Sequence, residues 1–194
     1  MCYKDFIDNI LPMIGLIVSV VACIFTCLTY RKSHDILEII DLERKYRWNQ
    51  RELESLFSNI PIDSIESFIE SPEVIRKELW EGLRSIDLTS FQFIGKERNS
   101  IVNFIRGLES FCFMHYEQVP SGHWKYQPLS NNENFDADKE NQNINDLHEK
   151  ANALSPLLKE LKLILLKYHV NIRDINMKAY DNYYNKQKEE LEQY

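Results

Sequence analysis

Glycine is scarce in this sequence. Its five glycines, Gly15, Gly82, Gly95, Gly107 and Gly122, lie too far apart to build a phosphate-cradling loop, so P-loop and dinucleotide fingerprints are absent. A Gly-x-Ser-x-Gly elbow is missing, as are a Cys-x-x-Cys pair and a His-Glu-x-x-His helix, which removes the commonest hydrolase and zinc-enzyme signatures. Cysteine is sparse too. Cys2 is terminal, Cys23 and Cys27 lie in an apolar run, and Cys112 stands alone in the remainder, so no internal disulfide framework exists there. A lone thiol of this kind suits a reducing compartment. Positive charge is also in short supply: 23 basic residues face 30 acidic ones, for a net charge of −7. Without residues 1–30 the remainder still carries about −6, and no Lys/Arg cluster offers the basic face that phosphate neutralisation needs. Nucleic acid is therefore not an expected partner.

The sequence is rich in Leu, Ile, Glu and Lys, and with so few glycines that mixture predicts an all-α chain. After a short flank at residues 1–9, residues 10–30 contain no charged side chain. Those 21 residues would make a helix about 32 Å long, matched to a hydrocarbon thickness of roughly 30 Å. Arg31 and Lys32 follow at once and Arg44, Lys45 and Arg47 lie soon after, whereas only Lys4 precedes the run. The positive-inside bias then predicts a single-pass protein of the inner, cytoplasmic membrane with its C-terminal domain in the cytoplasm. A cleaved signal peptide fits poorly, because the early region is acidic and the run is long. A lipoprotein attached through Cys23 is the alternative, since Val20, Val21 and Ala22 precede that cysteine. Against it, the apolar run continues from Ile24 to Tyr30, beyond the site where a lipoprotein turns polar.

Within the span Gly15, Ser19, Cys23 and Cys27 recur every four residues, a small-residue stripe that lets two membrane helices approach and makes a homo-oligomer an expectation. Residues 31–60 read as a juxtamembrane amphipathic helix. Ile39, Leu42, Tyr46, Asn49, Leu53, Leu56 and Ile60 alternate spacings of three and four, with Asn49 a candidate register-fixing or partner-binding residue. At 100° per residue this face lies about 150° from the small stripe, so one straight helix does not offer both to one partner. Packing of this face on the chain's own domain is the simpler reading.

Residues 61–194 read as a helical cytoplasmic domain, giving a soluble bundle of about four to five helices. Pro61 ends the juxtamembrane helix, and a short helical turn spans 62–70. Ser71, Pro72 and Glu73 then form an N-terminal cap for a helix to about Thr89, with Ile75, Leu79, Leu83 and Ile86 inward. A central helix is expected over 96–118, burying Ile101, Phe104, Ile105, Leu108, Phe111, Cys112 and His115, with Phe113 and Met114 widening that face. Residues 119–145, with two prolines and many asparagines, read as a long polar loop. Its Trp124 and Tyr126 are candidate partner-binding side chains, or else lie back on the core. A heptad-like run follows at Leu147, Ala151, Leu154, Leu158, Leu161, Leu165 and Tyr168, interrupted by Pro156, and a last helix begins near Asn171.

Candidate chemistry is thin. Cys112, His115 and His123 have ligand-type side chains, but no fourth ligand accompanies them and their neighbours are core-forming, so no metal site is expected. Glu109 beside the most apolar face is the one carboxylate whose burial could raise its pKa. No catalytic residue, cofactor or metal is assigned, and the chain is expected not to be an enzyme. Ile101, Val102, Asn103, Phe104, Ile105, Arg106, Gly107, Leu108 and Glu109, together with the single span and its Arg-Lys stop, give the chain its one resemblance. It resembles uncharacterised bacterial membrane-anchored families, several of which look like accessory proteins of phages, mobile elements or phage-defence loci. That resemblance carries over no functional residue; the leading expectation is a non-enzymatic membrane-tethered interaction module whose partners are the lipid bilayer and a protein bound through the 119–145 loop or the juxtamembrane helix. An oligomerising membrane-acting effector is the second expectation, and an enzyme with a site near Glu109, Cys112 and His115 the third.

Overall fold

The computed structural model describes residues 11–127 and 137–192. Helices account for 74% of the structure, so the chain is mostly helical. In chain order the elements are α1 (Leu11–Leu56), α2 (Ile62–Glu70), β1 (Val74–Ile75), α3 (Lys77–Arg84), α4 (Arg98–Phe111), β2 (Tyr116–Gln118), β3 (Trp124–Tyr126), α5 (Ala137–Lys167) and α6 (Ile172–Glu192). The chain divides into two units, Met1–Lys45 and Tyr46–Tyr194.

The described part of the first unit belongs to α1. Every side chain described there is exposed, among them Met13, Leu16, Ile17, Val18, Phe25 and Leu28. This is the one helix among the described residues long and apolar enough to cross a membrane. A core helix of similar composition would be mostly covered, whereas none of this apolar window is. The hydroxyls of Ser19, Thr26 and Thr29 return to the carbonyls of Gly15, Ala22 and Phe25 at 2.8 Å, so the helix satisfies its own polar side chains. Exposure continues past Arg31 through Ile36, Ile39 and Leu42, so the upstream part of the heptad run is uncovered.

The second unit is built on one apolar core. Leu53, Phe57 and Ile60 contribute its first side chains, and Ile62, Ile65 and Phe68 of α2 continue it. Helix α5 packs along α2 and α4, α6 packs on α2, and α3 lies against α2 and α4. Leu147, Ala151, Leu154, Leu158, Leu161, Leu165 and Tyr168 of the heptad-like run are all buried. Pro156 sits inside α5 without ending it. It cannot bond the Asn152 carbonyl, but Asn152 is on the exposed side, where water serves that group. Helix α5 closes in a Schellman motif: His169 takes a left-handed conformation (φ 52°), and the amides of His169 and Val170 reach back to Leu166 and Leu165 at 3.1 and 2.9 Å.

Three local expectations are corrected. The helix expected to start at Ser71 starts instead at Lys77, because Val74 and Ile75 pair antiparallel with Lys125 and Trp124. The central helix ends at Phe111, where the amides of Cys112, Phe113 and Met114 bond carbonyls three residues back. His115 and Phe113 are consequently exposed, Phe113 at 89%, rather than inward. Residues 119–145 are not one loop. Residues 119–123 turn a hairpin, β3 follows, and α5 begins at Ala137; Pro128 and Asn131 to Asn134 lie outside the described residues, as do residues 1–9. The modest helix penalty of asparagine loses there to burial of Leu147 and Ala151 at helical spacing. To the expected all-α class the structure thus adds a three-stranded antiparallel sheet, ordered β1-β3-β2.

Candidate functional site

Helix α3 carries Lys77, Trp80, Glu81 and Arg84 at positions i, i+3, i+4 and i+7, which stack on one face. Its opposite side, with Leu79 and Leu83, is in the core. Gly82 lets α3 sit directly on the chain after α1: a Cβ there would lie 2.1 Å from the Asn59 carbonyl oxygen. The β2–β3 hairpin is brought over α3 by pairing of β3 with β1 and by the Tyr126 amide, which donates to the Glu73 carbonyl at 2.8 Å. Its turn is tight. The Gly122 amide donates to Val119 O at 2.8 Å with Gly122 at φ 84°, and the Lys77 stem passes beside that glycine.

The hairpin lays its aromatic rings on the domain. Trp124 stacks on Trp80 with centroids 4.3 Å apart and planes 17° apart, and Tyr126 meets Tyr116 edge-on at 5.5 Å. Tyr116 donates its hydroxyl to the Pro72 carbonyl, and burial pushes its pKa well above the usual phenol value. Helix α6 closes the far side with Lys186. The result is an open cleft of about 370 Å³ lined by Lys77, Trp80, Glu81, Arg84, Ser85, Gln118, Trp124 and Lys186. The Glu81 carboxylate sits between two ammonium groups, 3.6 Å from Lys77 Nζ and 3.7 Å from Lys186 Nζ. Lys77 also donates to Gln187 Oε1 at 3.0 Å. Arg84 is exposed and has no ion-pair partner among the described residues.

A second cleft, of about 400 Å³, is lined by polar groups that include Glu52, Ser55, Ser58, Asp87 and Ser90. Its carboxylates are already committed to the local fold. Glu52 accepts the Gln92 amide at 2.7 Å, and Asp87 accepts the hydroxyl and amide of Thr89, which hold its pKa below the usual carboxylate range. This cleft is a by-product of turn chemistry, and the aromatic and cationic cleft is the better site.

Gly15, Ser19, Cys23 and Cys27 are exposed on α1, and a Cβ added at Gly15 would meet nothing within 4 Å. Trp124 and Tyr126 are half-buried against the core rather than projecting from a loop. Asn49 is only 2% exposed and is corrected from a partner-binding candidate to an internal clamp. Its Nδ2 donates to the Ile94 carbonyl at 2.7 Å and to Tyr168 Oη at 3.3 Å, and its Oδ1 accepts the Ile94 amide at 2.8 Å. Cys112, His115 and His123 do not form a ligand set; among the described residues no group of three or more His, Cys, Asp or Glu is placed to hold a metal. Burial pushes the Cys112 thiol up to about 11, against the pull of Arg84, so it stays protonated at neutral pH. Burial also raises Glu109, opposed by Arg106.

The Lys77, Trp80 and Arg84 spacing was visible in the sequence as one helical stripe, but nothing there connected it to Trp124 or to Lys186 more than a hundred residues later. No protein-family model matches the chain, and neither a curated protein nor a solved structure shows significant similarity to it.

Proposed function

We propose that the chain is a single-span, membrane-anchored binding module, with a helical domain on the cytoplasmic side that engages a protein partner and performs no catalysis. The observation that carries this reading is the uncovered apolar helix: none of its most apolar window is buried, and Arg31 and Lys32 close that window. Most apolar side chains from Leu53 to Ala179 are buried in one core, whereas the apolar side chains from Met13 to Leu28 are uncovered together along one continuous stretch. Tethering confines the domain to a membrane surface and raises its effective concentration for partners held there. A bacterial accessory role belongs to this reading on the resemblance of the 101–109 segment and the span. Apolar side chains that run on past Cys23 through Phe25 and Leu28 favour a span over lipid attachment at that cysteine.

Crosslinking of the full-length protein in its native membrane, read by mass spectrometry, tests the proposal. A heterologous protein joined to residues of the 46–192 region is the expected result. Self-crosslinks alone would overturn it and move the weight to an oligomerising membrane-acting effector. The exposed Gly15–Ser19–Cys23–Cys27 stripe favours that second reading. The effector predicts toxicity on overexpression that falls in Gly15→Leu and Ser19→Leu variants, and growth curves indifferent to both substitutions would remove it.

A further inference from the structure

We propose that the cleft between α3, the β2–β3 hairpin and α6 binds a small phosphate monoester of about nucleotide size. Four observations carry this inference. The first is charge. Lys77, Arg84 and Lys186 outnumber Glu81, which leaves the cleft lining at +2 on a chain whose net charge is −7, with Glu190 4.0 Å from Lys186 outside that lining. A phosphate monoester carries roughly −1.5 to −2 at neutral pH, so the cleft and such a ligand neutralise one another, whereas a single carboxylate would leave a cation unmatched.

The second is donor geometry. Arg84 offers a guanidinium fork with no ion-pair partner among the described residues, two helical turns from Lys77 on the same face. A fork of this kind grips two phosphate oxygens at once, while the lysines act as point charges. The third is Glu81 itself. Its carboxylate stands between Lys77 and Lys186 at 3.6 and 3.7 Å, so the chain already seats an anion between these cations. Glu81 is thus an internal competitor for the lysines that an arriving phosphate would share.

The fourth is the apolar wall. Trp80 and Trp124 are stacked, and the half-exposed Trp124 gives an organic body a flat surface beside the cations. Among the described residues the two buried side-chain nitrogens without a hydrogen-bond partner are Trp80 Nε1 and His123 Nδ1. One belongs to a cleft-lining ring and the other to the residue before Trp124. Unpaired buried polar atoms are rare in folded proteins, and Trp80 Nε1 lies in a ring of the cleft wall. A volume of about 370 Å³ lies within the usual range for small-molecule sites.

Tryptophan fluorescence and calorimetry of the full-length protein in nanodiscs of neutral phosphatidylcholine test this inference, with adenosine monophosphate and inorganic phosphate as probes. Saturable binding of the monophosphate is expected, with inorganic phosphate at least tenfold weaker. Arg84→Met should weaken the monophosphate tenfold or more. Glu81→Gln should tighten it several-fold, an opposite sign that general damage to the fold does not produce. Lys188→Met, which removes a cation on α6 that is not part of the cleft, should leave it unchanged. In discs containing phosphatidic acid, loss of the monophosphate signal would identify the lipid headgroup as the source of the phosphate ester, and retention would identify a soluble ligand. Absence of saturation by the monophosphate in phosphatidylcholine discs would overturn the proposal, as would weakening in Glu81→Gln or indifference to Arg84→Met.

Discussion

Replacing Asn49 with leucine keeps the branched shape of the side chain, with bulkier methyl groups, at a buried position while deleting every hydrogen bond the amide makes. Asn49 is 2% exposed, and its side chain pairs both backbone groups of Ile94, accepting from the amide at 2.8 Å and donating to the carbonyl at 2.7 Å. The segment it holds contains Phe91 and Phe93, both buried, with Phe93 edge-on to Tyr168 at 5.3 Å. Losing one partner of a buried hydrogen bond costs about 1–3 kcal/mol for each group left unpaired. Ile94 is itself 52% exposed, so water recovers part of the loss and the lower half of that range applies to each of its two groups. Asn49→Leu should therefore destabilise the domain by roughly 2–4 kcal/mol, which for a unit of this size lowers Tm by about 6–12 °C. Thermal unfolding of the full-length protein in detergent, followed by near-ultraviolet circular dichroism of the stacked tryptophans, reads this directly. Asn49→Asp keeps an acceptor for the Ile94 amide but loses the donor and buries a charge, so it should be no milder. A leucine variant that melts within 2 °C of the parent would refute the reasoning and show that the Asn49 clamp contributes little to stability.

Two further outcomes follow from the same packing. Gly82→Ala would be favoured by helix propensity by about 1 kcal/mol. Its Cβ would nevertheless lie 2.1 Å from a backbone oxygen of Asn59, so the expected result is a loss of about 2–3 kcal/mol, and a raised urea midpoint would contradict it. Glu73 bonds His148 at 2.6 Å; burial pushes this carboxyl up, but its own backbone amide and His148 outweigh burial and hold it below the ordinary value. A depressed folded pKa contributes stability above the unfolded value, near 4.5, and loses it as pH falls through the folded value. Carboxyl-carbon NMR should accordingly show Glu73 titrating below an unperturbed glutamate, and His148→Ala should move that midpoint upward; an unmoved midpoint would show that the pair has no electrostatic role.

Much of the helical architecture was legible from periodicity alone. The inward positions of α4 and α5, from Ile101 to Phe111 and from Leu147 to Tyr168, recur at helical spacing, and nearly all are in the core. Helix formation depends on side chains a few residues apart, so the information is local. The termini were less visible. The helix expected to run through His115 stops at Phe111, because the next residues turn into β2, which pairs with β3 to form the hairpin. Nothing in the composition of 112–118 opposes a helix strongly enough to announce that.

The sequence by itself determined that the chain is mostly helical, that one charge-free segment is long enough to span a bilayer, and that the common catalytic and phosphate-loop motifs are absent. These follow from composition and from spacings of three and four residues. Only the tertiary structure decided that Asn49 clamps the Ile94 backbone and that Trp124 stacks on Trp80. It alone placed Lys77, Arg84 and Lys186 around one cleft. Strands of two or three residues carry too little alternation to be read, and a cleft assembled from α3, the hairpin and α6 joins segments far apart in the chain. Burial of a shared core chose those neighbours, and that choice exists only once the chain has folded.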